Sequence, residues 1–234
     1  TMKGLGMDAS RVIQTEDHAT GVALIEVDEN SGQNAIMVIP SACDHIADEE
    51  VAALKDLVEG ADILLTQLET NMSSIKAIVD MAHAAGKTII LNTAPVQPVE
   101  PELLAKVSIV TPNEVEASIL TGVKVADAQS AQKAADWFFG HGVQSVVITM
   151  GGMGAFVSDG KRSELTPAFK VNAVDTTGAG DAYNGGFVTA LSEGNDIFAA
   201  ARFAAATAAL SVQKMGTTPS MPTRAEIDEF LKQH

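Results

Sequence analysis

Residues 61–92, ADILLTQLETNMSSIKAIVDMAHAAGKTIILN, contain two short apolar runs separated by a segment with helical spacing. The runs ADILLTQLE and KTIILN have the length and apolar content of buried strands. Between them, SSIKAIVDMAHAAG is typical of a helix that opens at Ser73 and ends at Gly86. Strands and helices that alternate at these lengths predict a mostly parallel sheet, so the predicted fold class is α/β.

The same alternation continues toward the C-terminus. Strands are predicted at SIVTPN and SVVITMGG, antiparallel strands in GAFVSDGKRSELTPAFKV around Asp159-Gly160, and helices at PELLAKV, EVEASILTG, SAQKAADWFFGHG, 180–193, 196–214 and 223–232. This pattern predicts one sheet that helices cover on both faces, in a single domain spanning residues 1–234.

The N-terminal part differs in its periodicity. Two strand-like runs, Val22–Val27 and Ala35–Ile39, flank the turn-rich Asn30-Ser31-Gly32 and predict a β-hairpin. Residues 48–60, DEEVAALKDLVEG, predict one helix with an acidic first turn and a glycine stop.

Composition narrows the possible partners. With 30 acidic against 15 basic residues the formal net charge is −15, which disfavours binding to nucleic acid or to anionic membranes. The single cysteine, Cys43, excludes an internal disulfide framework, and the sequence has no apolar run of about 20 residues that would suggest a membrane span. A small-molecule substrate and a cytoplasmic location are expected.

Polar residues and glycines follow several of the predicted strands. In open α/β sheets ligands bind beyond the carboxyl ends of the strands. Those ends carry Glu69, Asn92, residues 111–114 and residues 149–154. The pattern indicates an active site along this edge, although strand ends are commonly polar for reasons of solvation alone.

The segment VDTTGAGDAYNG, residues 174–185, places a carboxylate in a glycine-rich turn at the start of a helix. Unpaired backbone N–H groups of residues 178–181 at a helix N-terminus form a natural anion hole. Asp181 beside such a hole is suited to accept a proton from a hydroxyl that attacks a phosphoryl group. The alternative is that Asp181 only caps the helix.

Two further motifs follow strands. In TPNEVEAS, residues 111–118, Asn113 and Glu116 lie on one helix face, where they are suited to orient a hydrated Mg²⁺ or, alternatively, to cap the helix. In TMGGMGAF, residues 149–156, three glycines let the backbone approach a ligand closely, or simply form a tight turn. The latter motif fits neither a Walker A loop nor a dinucleotide fingerprint.

In this order and at these spacings the motifs resemble those of the PfkB-type carbohydrate kinases, the ribokinases above all. The resemblance runs through TGVALIEV, QLE, LNTAP, TPNEVEA, ITMGGMGAF, VDTTGAGDAYNGGF and GTTPSMP. It implies a ribokinase-like three-layer α/β/α sandwich with a mostly parallel central sheet and a partial β-hairpin lid at residues 20–40. It also implies ATP-dependent phosphorylation of a pentose, D-ribose in particular.

The resemblance assigns roles to residues. Asp181 would be the general base, beside an anion hole formed by the amides of Gly178, Ala179 and Gly180, and Glu69 would contact the sugar together with Asp181. Asn113 and Glu116 would hold Mg²⁺ through water, and the ATP would lie along Asn113, Thr149, Gly151, Gly152, Gly154 and Gly180. A K⁺ ion would be held by Asp175, Thr177, Ser211, Lys214, Gly216 and Ser220. Ala205 and Ala209 either contact the adenine or serve only helix packing.

Two family features have no counterpart in the sequence. The family's N-terminal strand with an Asn-x-Asp motif and its Gly-Gly-Lys-Gly-Ala-Asn loop hold the sugar hydroxyls, so the chain is expected to begin about a quarter of the way into the family pattern. The complete protein is expected to form a homodimer through its lids. The alternatives are a kinase of deoxyribose, another sugar or a nucleoside, and a non-catalytic nucleotide-binding fragment.

Overall fold

The computed structural model describes residues 2–27 and 34–234. A two-stranded antiparallel sheet comes first, in which Val22 of one strand is opposite Ile39 of the other. Its strands are β1 (Val22–Val27) and β2 (Asn34–Ile39). The predicted hairpin strands are confirmed, and the turn predicted at Asn30-Ser31-Gly32 lies outside the described residues.

The main sheet has its six strands in chain order. The first four strands are parallel to one another, the fifth is antiparallel to the fourth, and the sixth is antiparallel to the fifth. The strands are β3 (Ile63–Thr66), β4 (Thr88–Leu91), β5 (Ile109–Val110), β6 (Ser145–Thr149), β7 (Ala155–Ser158) and β8 (Ser163–Thr166). The predicted mostly parallel sheet with an antiparallel end is confirmed, and the ends of β3 to β6 meet along one edge.

Apart from the first two, the helices in the described ranges begin and end within a few residues of the predicted positions. They are α1 (Asp48–Ala52), α2 (Lys55–Gly60), α3 (Met72–Ala84), α4 (Pro101–Leu104), α5 (Glu114–Thr121), α6 (Ala128–Gly140), α7 (Ala179–Ser192), α8 (Ile197–Ser211) and α9 (Arg224–Gln233). Within the described ranges none of them is both long and apolar enough to cross a membrane.

The prediction of one helix over residues 48–60 is wrong. Ala53 and Leu54 have ψ angles of −9° and −1°, and the amide of Leu54 donates to the carbonyl of Val51 rather than one residue further back. This tighter step separates α1 from α2. The opening predicted for α3 also shifts, because Asn71 precedes its first residue and bonds to both backbone groups of Ile46.

Two apolar cores lie on opposite faces of the main sheet. Alternate residues of β4 separate accordingly: Ile89 and Leu91 pack with Phe138 of α6, whereas Ile90 packs with Phe187 of α7. The same alternation in β6 places Val147 with the second core and its neighbours with the first. Helices α3, α5 and α6 thus cover one face and α7 and α8 the other, which gives the predicted three layers.

Candidate active site

The first turn of α7 has a glycine at its N-cap for a steric reason. Gly178 has φ of +75°, a region that side chains other than glycine rarely adopt, and a Cβ there would lie 3.2 Å from Cγ2 of Thr217. The amide of Ala179 donates to the carbonyl of Thr176 at 3.2 Å. Among the described residues, the amides of Gly178, Gly180 and Asp181 have no hydrogen-bond partner, so of the three amides predicted to form the anion hole only that of Ala179 is engaged. This turn therefore offers three free donors at the positive end of a helix.

Asp181 lies in the same turn, and its charge reaches Glu69, which follows β3. Both residues reach solvent, yet the surrounding protein removes enough water to raise the pKa of the Asp181 carboxyl above its ordinary value. The pKa of Glu69 is also raised, first by burial and then by the negative charge of Asp181. The two carboxylates are therefore close enough to repel one another.

Asn113 and Glu116 form a reciprocal cap at the start of α5. The Asn113 side-chain oxygen accepts from the amides of Val115 and Glu116 at 2.9 and 2.8 Å. In return Glu116 accepts from the backbone and side-chain nitrogens of Asn113, also at 2.9 and 2.8 Å. The capping interpretation of this motif is thus present in the structure, and it fixes the direction of both side chains.

The Glu116 carboxylate is buried, with 8% of the residue exposed. A third donor, the hydroxyl of Thr93, lies 3.3 Å from Oε2. Burial raises the pKa of Glu116, and the hydrogen bonds from Asn113 and Thr93 oppose that rise. The Oε1 atom of Glu116 has one hydrogen bond and can accept another from the water shell of a Mg²⁺ ion, whereas the Asn113 oxygen already accepts two amide hydrogens.

The glycine-rich turn after β6 lies beside Asn113. Thr149 forms an isolated parallel bridge with Asn113, and residues Gly151–Met153 form a single 3-10 turn. Gly154 has φ of +106°, and a Cβ there would be only 2.0 Å from the carbonyl oxygen of Thr166. Glycine is therefore required at this position by the close approach of β8.

A cavity of about 470 Å³ joins these segments. Its volume falls in the range of small-molecule sites. Its lining includes the six residues predicted to lie along a nucleotide: Asn113, Thr149, Gly151, Gly152, Gly154 and Gly180. The opposite wall is apolar and includes Phe169, Tyr183, Ala205, Ala209 and Val212. The sheet edge and the start of α7 thus enclose one concave site.

The residues predicted to hold K⁺ lie on two adjoining segments. Asp175 accepts from the amides of Thr177 and Gly216, both at 2.9 Å, and these bonds lower the pKa of its carboxyl. The hydroxyls of the buried Ser211 and Ser220 are 3.0 Å apart. Lys214 instead extends its ammonium toward Glu226, 3.4 Å away, so its carbonyl is the group left for a cation. An all-oxygen set of this kind fits a hard monovalent ion.

The sequence predicts Asn92 and Thr111 at the edge of the site without giving either a role, and it gives no prediction for Thr93 and Asn184, two further polar residues behind the site. Thr93, Thr111 and Asn184 are buried. The available signal was a polar residue in an otherwise apolar or small helical stretch, as at Asn184 in AYNGGF. Without the fold, nothing in the sequence says that Asn184 and Thr111 meet.

Comparisons with known proteins identify the family of the chain. A family model described as pfkB family carbohydrate kinase matches residues 1–224. The ribokinase of Haemophilus influenzae is 44% identical over 227 residues, which cover 97% of this chain and 74% of that protein. The deoxyribokinase of Salmonella typhimurium is 30% identical over 231 residues, 98% and 75% of the two chains. The solved structure of Arabidopsis thaliana ribokinase complexed with ribose and ATP has a TM-score of 0.82 and 31% identity, covering 92% and 70%.

Proposed function

The chain belongs to the pfkB family of carbohydrate kinases, and we propose that it transfers the γ-phosphoryl group of ATP to the primary hydroxyl of D-ribose. One observation carries the proposal. The cavity lined by the predicted nucleotide residues reaches Gly180, and the next residue, Asp181, is close enough to Glu69 for its charge to raise the pKa of the Glu69 carboxyl. A phosphoryl group at the start of α7 would therefore lie between a nucleotide on one side and a sugar on the other.

Asp181 acts as the general base in this proposal. Its carboxylate accepts the proton of the sugar hydroxyl as the hydroxyl oxygen attacks the γ-phosphorus and ADP leaves. Burial raises the pKa of Asp181, which makes the carboxylate a stronger base than a fully hydrated one. The free amides of Gly180 and Asp181 donate to the oxygens of the transferring group, where negative charge develops.

Two cations complete the proposed site. Mg²⁺ bound through water to Asn113 and Glu116 supplies charge neutralisation for the phosphates. The all-oxygen set around Asp175 and Gly216 would hold K⁺ directly behind the turn, because Asp175 also anchors the amide of Thr177, which precedes Gly178. In this arrangement the monovalent ion fixes the turn and takes no part in the chemistry.

Glu69 is suited to accept hydrogen bonds from the hydroxyls of a sugar. Ribose is favoured by the ribokinase relative with 44% identity. Deoxyribose is the second candidate, since a deoxyribokinase is similar over nearly the whole chain. The two sugars differ by one hydroxyl, and a site that hydrogen-bonds this group rejects the analogue that lacks it.

The test is a phosphorylation assay on the full chain with ATP, Mg²⁺ and K⁺, using ribose, 2-deoxyribose and a nucleoside in parallel. We expect turnover with ribose, and Asp181→Asn should reduce kcat by about 10²- to 10⁴-fold while ATP affinity is kept. Asp196→Asn is the matched control, because Asp196 caps α8 away from the site and asparagine caps equally well. ATP binding without turnover on any of these acceptors would refute the proposal and favour a non-catalytic nucleotide-binding chain.

A further inference from the structure

Asn184 is an unusual residue for its place in the fold. It lies in the second turn of α7 and only 7% of it is exposed. Asparagine is a poor helix former, and a buried amide must be hydrogen-bonded to be tolerated. Its neighbours in the second core are apolar, as with Tyr183 and Phe187. Helix formation and core packing would both be better served by alanine, so neither explains the asparagine.

Both ends of the Asn184 amide are hydrogen-bonded. Its nitrogen donates to the carbonyl oxygen of Gly180 at 3.0 Å, and its oxygen accepts from the hydroxyl of Thr111 at 2.7 Å. Gly180 belongs to the first turn of α7 and lines the cavity. The amide therefore connects the turn of the proposed anion hole to a residue on a different element.

Thr111 is the residue that follows β5, and 2% of it is exposed. Its carbonyl accepts from the side chain of Asn92, at the end of β4, at 2.8 Å. Two residues further on, Asn113 begins the cap that fixes Glu116. Thr111 thus lies in the same short segment after β5 as Asn113, the first of the proposed Mg²⁺ ligands. The hydrogen bond from Asn92 ties this segment to the end of the neighbouring strand.

We propose that Asn184 and Thr111 are positioning residues, which together fix the Gly180–Asp181 turn relative to the Asn113–Glu116 pair. The link rests on the proposed function, since it matters only if the two groups act on one phosphoryl group. Phosphoryl transfer depends on such alignment, because the attacking oxygen, the phosphorus and the leaving oxygen must be in line. The Thr111–Asn184 bond sets that alignment through side chains that touch neither substrate.

The test compares Thr111→Val, Asn184→Ala and Thr111→Ser. Valine keeps the shape of threonine but removes the hydroxyl, and serine restores the hydroxyl. We expect Thr111→Val and Asn184→Ala each to lower kcat by up to about 100-fold, the loss that follows a misplacement of about 1 Å, with the KM for the sugar unchanged. Thr111→Ser should recover most of the rate. The double variant should be no slower than the slower single variant, because both changes break one link.

Thr207→Val is the matched control for a purely structural role. Thr207 is also buried, and its hydroxyl donates to the carbonyl of Phe203 at 2.9 Å within α8. This variant loses a buried hydroxyl in the same way but leaves the link intact, so we expect its kcat to stay at the wild-type value. An equal loss of kcat in Thr207→Val, or a wild-type kcat in Thr111→Val, would overturn the proposal.

Amide hydrogen exchange keeps the link testable apart from catalysis. Thr111→Val should quicken exchange over residues 182–184, the first amides of α7 with helical hydrogen bonds, whereas exchange over 187–192 stays as in the wild type. If the wild-type chain phosphorylates none of the sugars, the proposed function fails, and this local exchange still decides whether the link holds the turn. Unchanged exchange over 182–184 would refute the positioning role even in an active enzyme.

Discussion

Replacing Gly178 or Gly180 by alanine makes the same chemical change at two positions of one turn, and we expect opposite effects on stability. Gly178 is in the left-handed region, with φ of +75°, and an added Cβ meets Thr217 at 3.2 Å. Gly180 lies inside the first turn of α7 without a positive φ, and an added Cβ there has nothing within 4 Å. Comparing the two variants distinguishes the effect of backbone strain, at Gly178, from the effect of a methyl group in the ligand cavity, at Gly180.

The magnitudes follow from these conformations. Placing alanine in the left-handed region costs about 1 to 2 kcal/mol, so Gly178→Ala should lower the free energy of unfolding by that amount. The contact with Thr217 adds little, because its nearest atom is a methyl group that can rotate away. In Gly180→Ala the helical backbone gains about 0.5 to 1 kcal/mol relative to glycine. The two variants should therefore differ by about 1.5 to 3 kcal/mol, the sum of the two effects.

Urea unfolding of both variants measures this difference in stability. Titration with a non-hydrolysable ATP analogue measures the affinity of the cavity for the nucleotide. Gly180 lines the cavity, so a methyl group there takes up space beside the phosphates and should weaken analogue binding although the fold is more stable. Gly178→Ala should unfold at lower urea. The reasoning is refuted if Gly180→Ala is the less stable variant, or if it binds the analogue as tightly as the wild type.

Three further predictions concern single side chains. Tyr183→Phe should raise the free energy of unfolding by about 1 kcal/mol, because the Tyr183 hydroxyl is buried without a hydrogen-bond partner among the described residues; a lower urea midpoint would contradict this. Asp181→Asn should stabilise the fold at pH 7. Burial raises the folded-state pKa of Asp181 above its ordinary 3.8, so the charged carboxylate destabilises the fold at pH values above the folded pKa, and asparagine removes that cost. Below pH 3.8 the carboxyl is neutral in both states, so the stability gain of Asp181→Asn should vanish there. A gain that persists below pH 3.8 would refute burial as the cause. Asp175→Asn should weaken activation by K⁺, measured as rate against K⁺ concentration, and an unchanged curve would remove Asp175 from the cation site.

The sequence predicted the main sheet well because its signals are local. Runs such as KTIILN have to be apolar on both faces to lie between two helical layers, and the structure shows this alternation in Ile89, Ile90 and Leu91. The break between α1 and α2 was missed because ordinary residues, Ala53 and Leu54, form it. A glycine or proline would have signalled the tighter step, whereas a change in ψ at these residues leaves no mark in the sequence.

The candidate site was predictable only where one short segment carries both partners. Asn113 and Glu116 are three residues apart, so helical geometry alone places them together, and the same holds for Gly180 and Asp181. Glu69 and Asp181 are far apart in sequence, and their mutual repulsion depends on the residues after β3 lying close to the start of α7. The proximity of Glu69 and Asp181 could be expected only from the resemblance of the full set of motifs to those of the family.

Positioning residues such as Asn184 belong to no motif. Asn113 is recognisable from its spacing to Glu116, with which it forms a reciprocal cap, whereas the partners of Asn184 include a residue far away in sequence. One of its hydrogen bonds is to Gly180 within α7, and the other is to Thr111, the residue after β5. The second bond can be predicted only when α7 is known to pack against β5. Folding alone would favour an apolar residue at position 184. The buried asparagine therefore indicates a role in the neighbouring site, whose turn it holds in place.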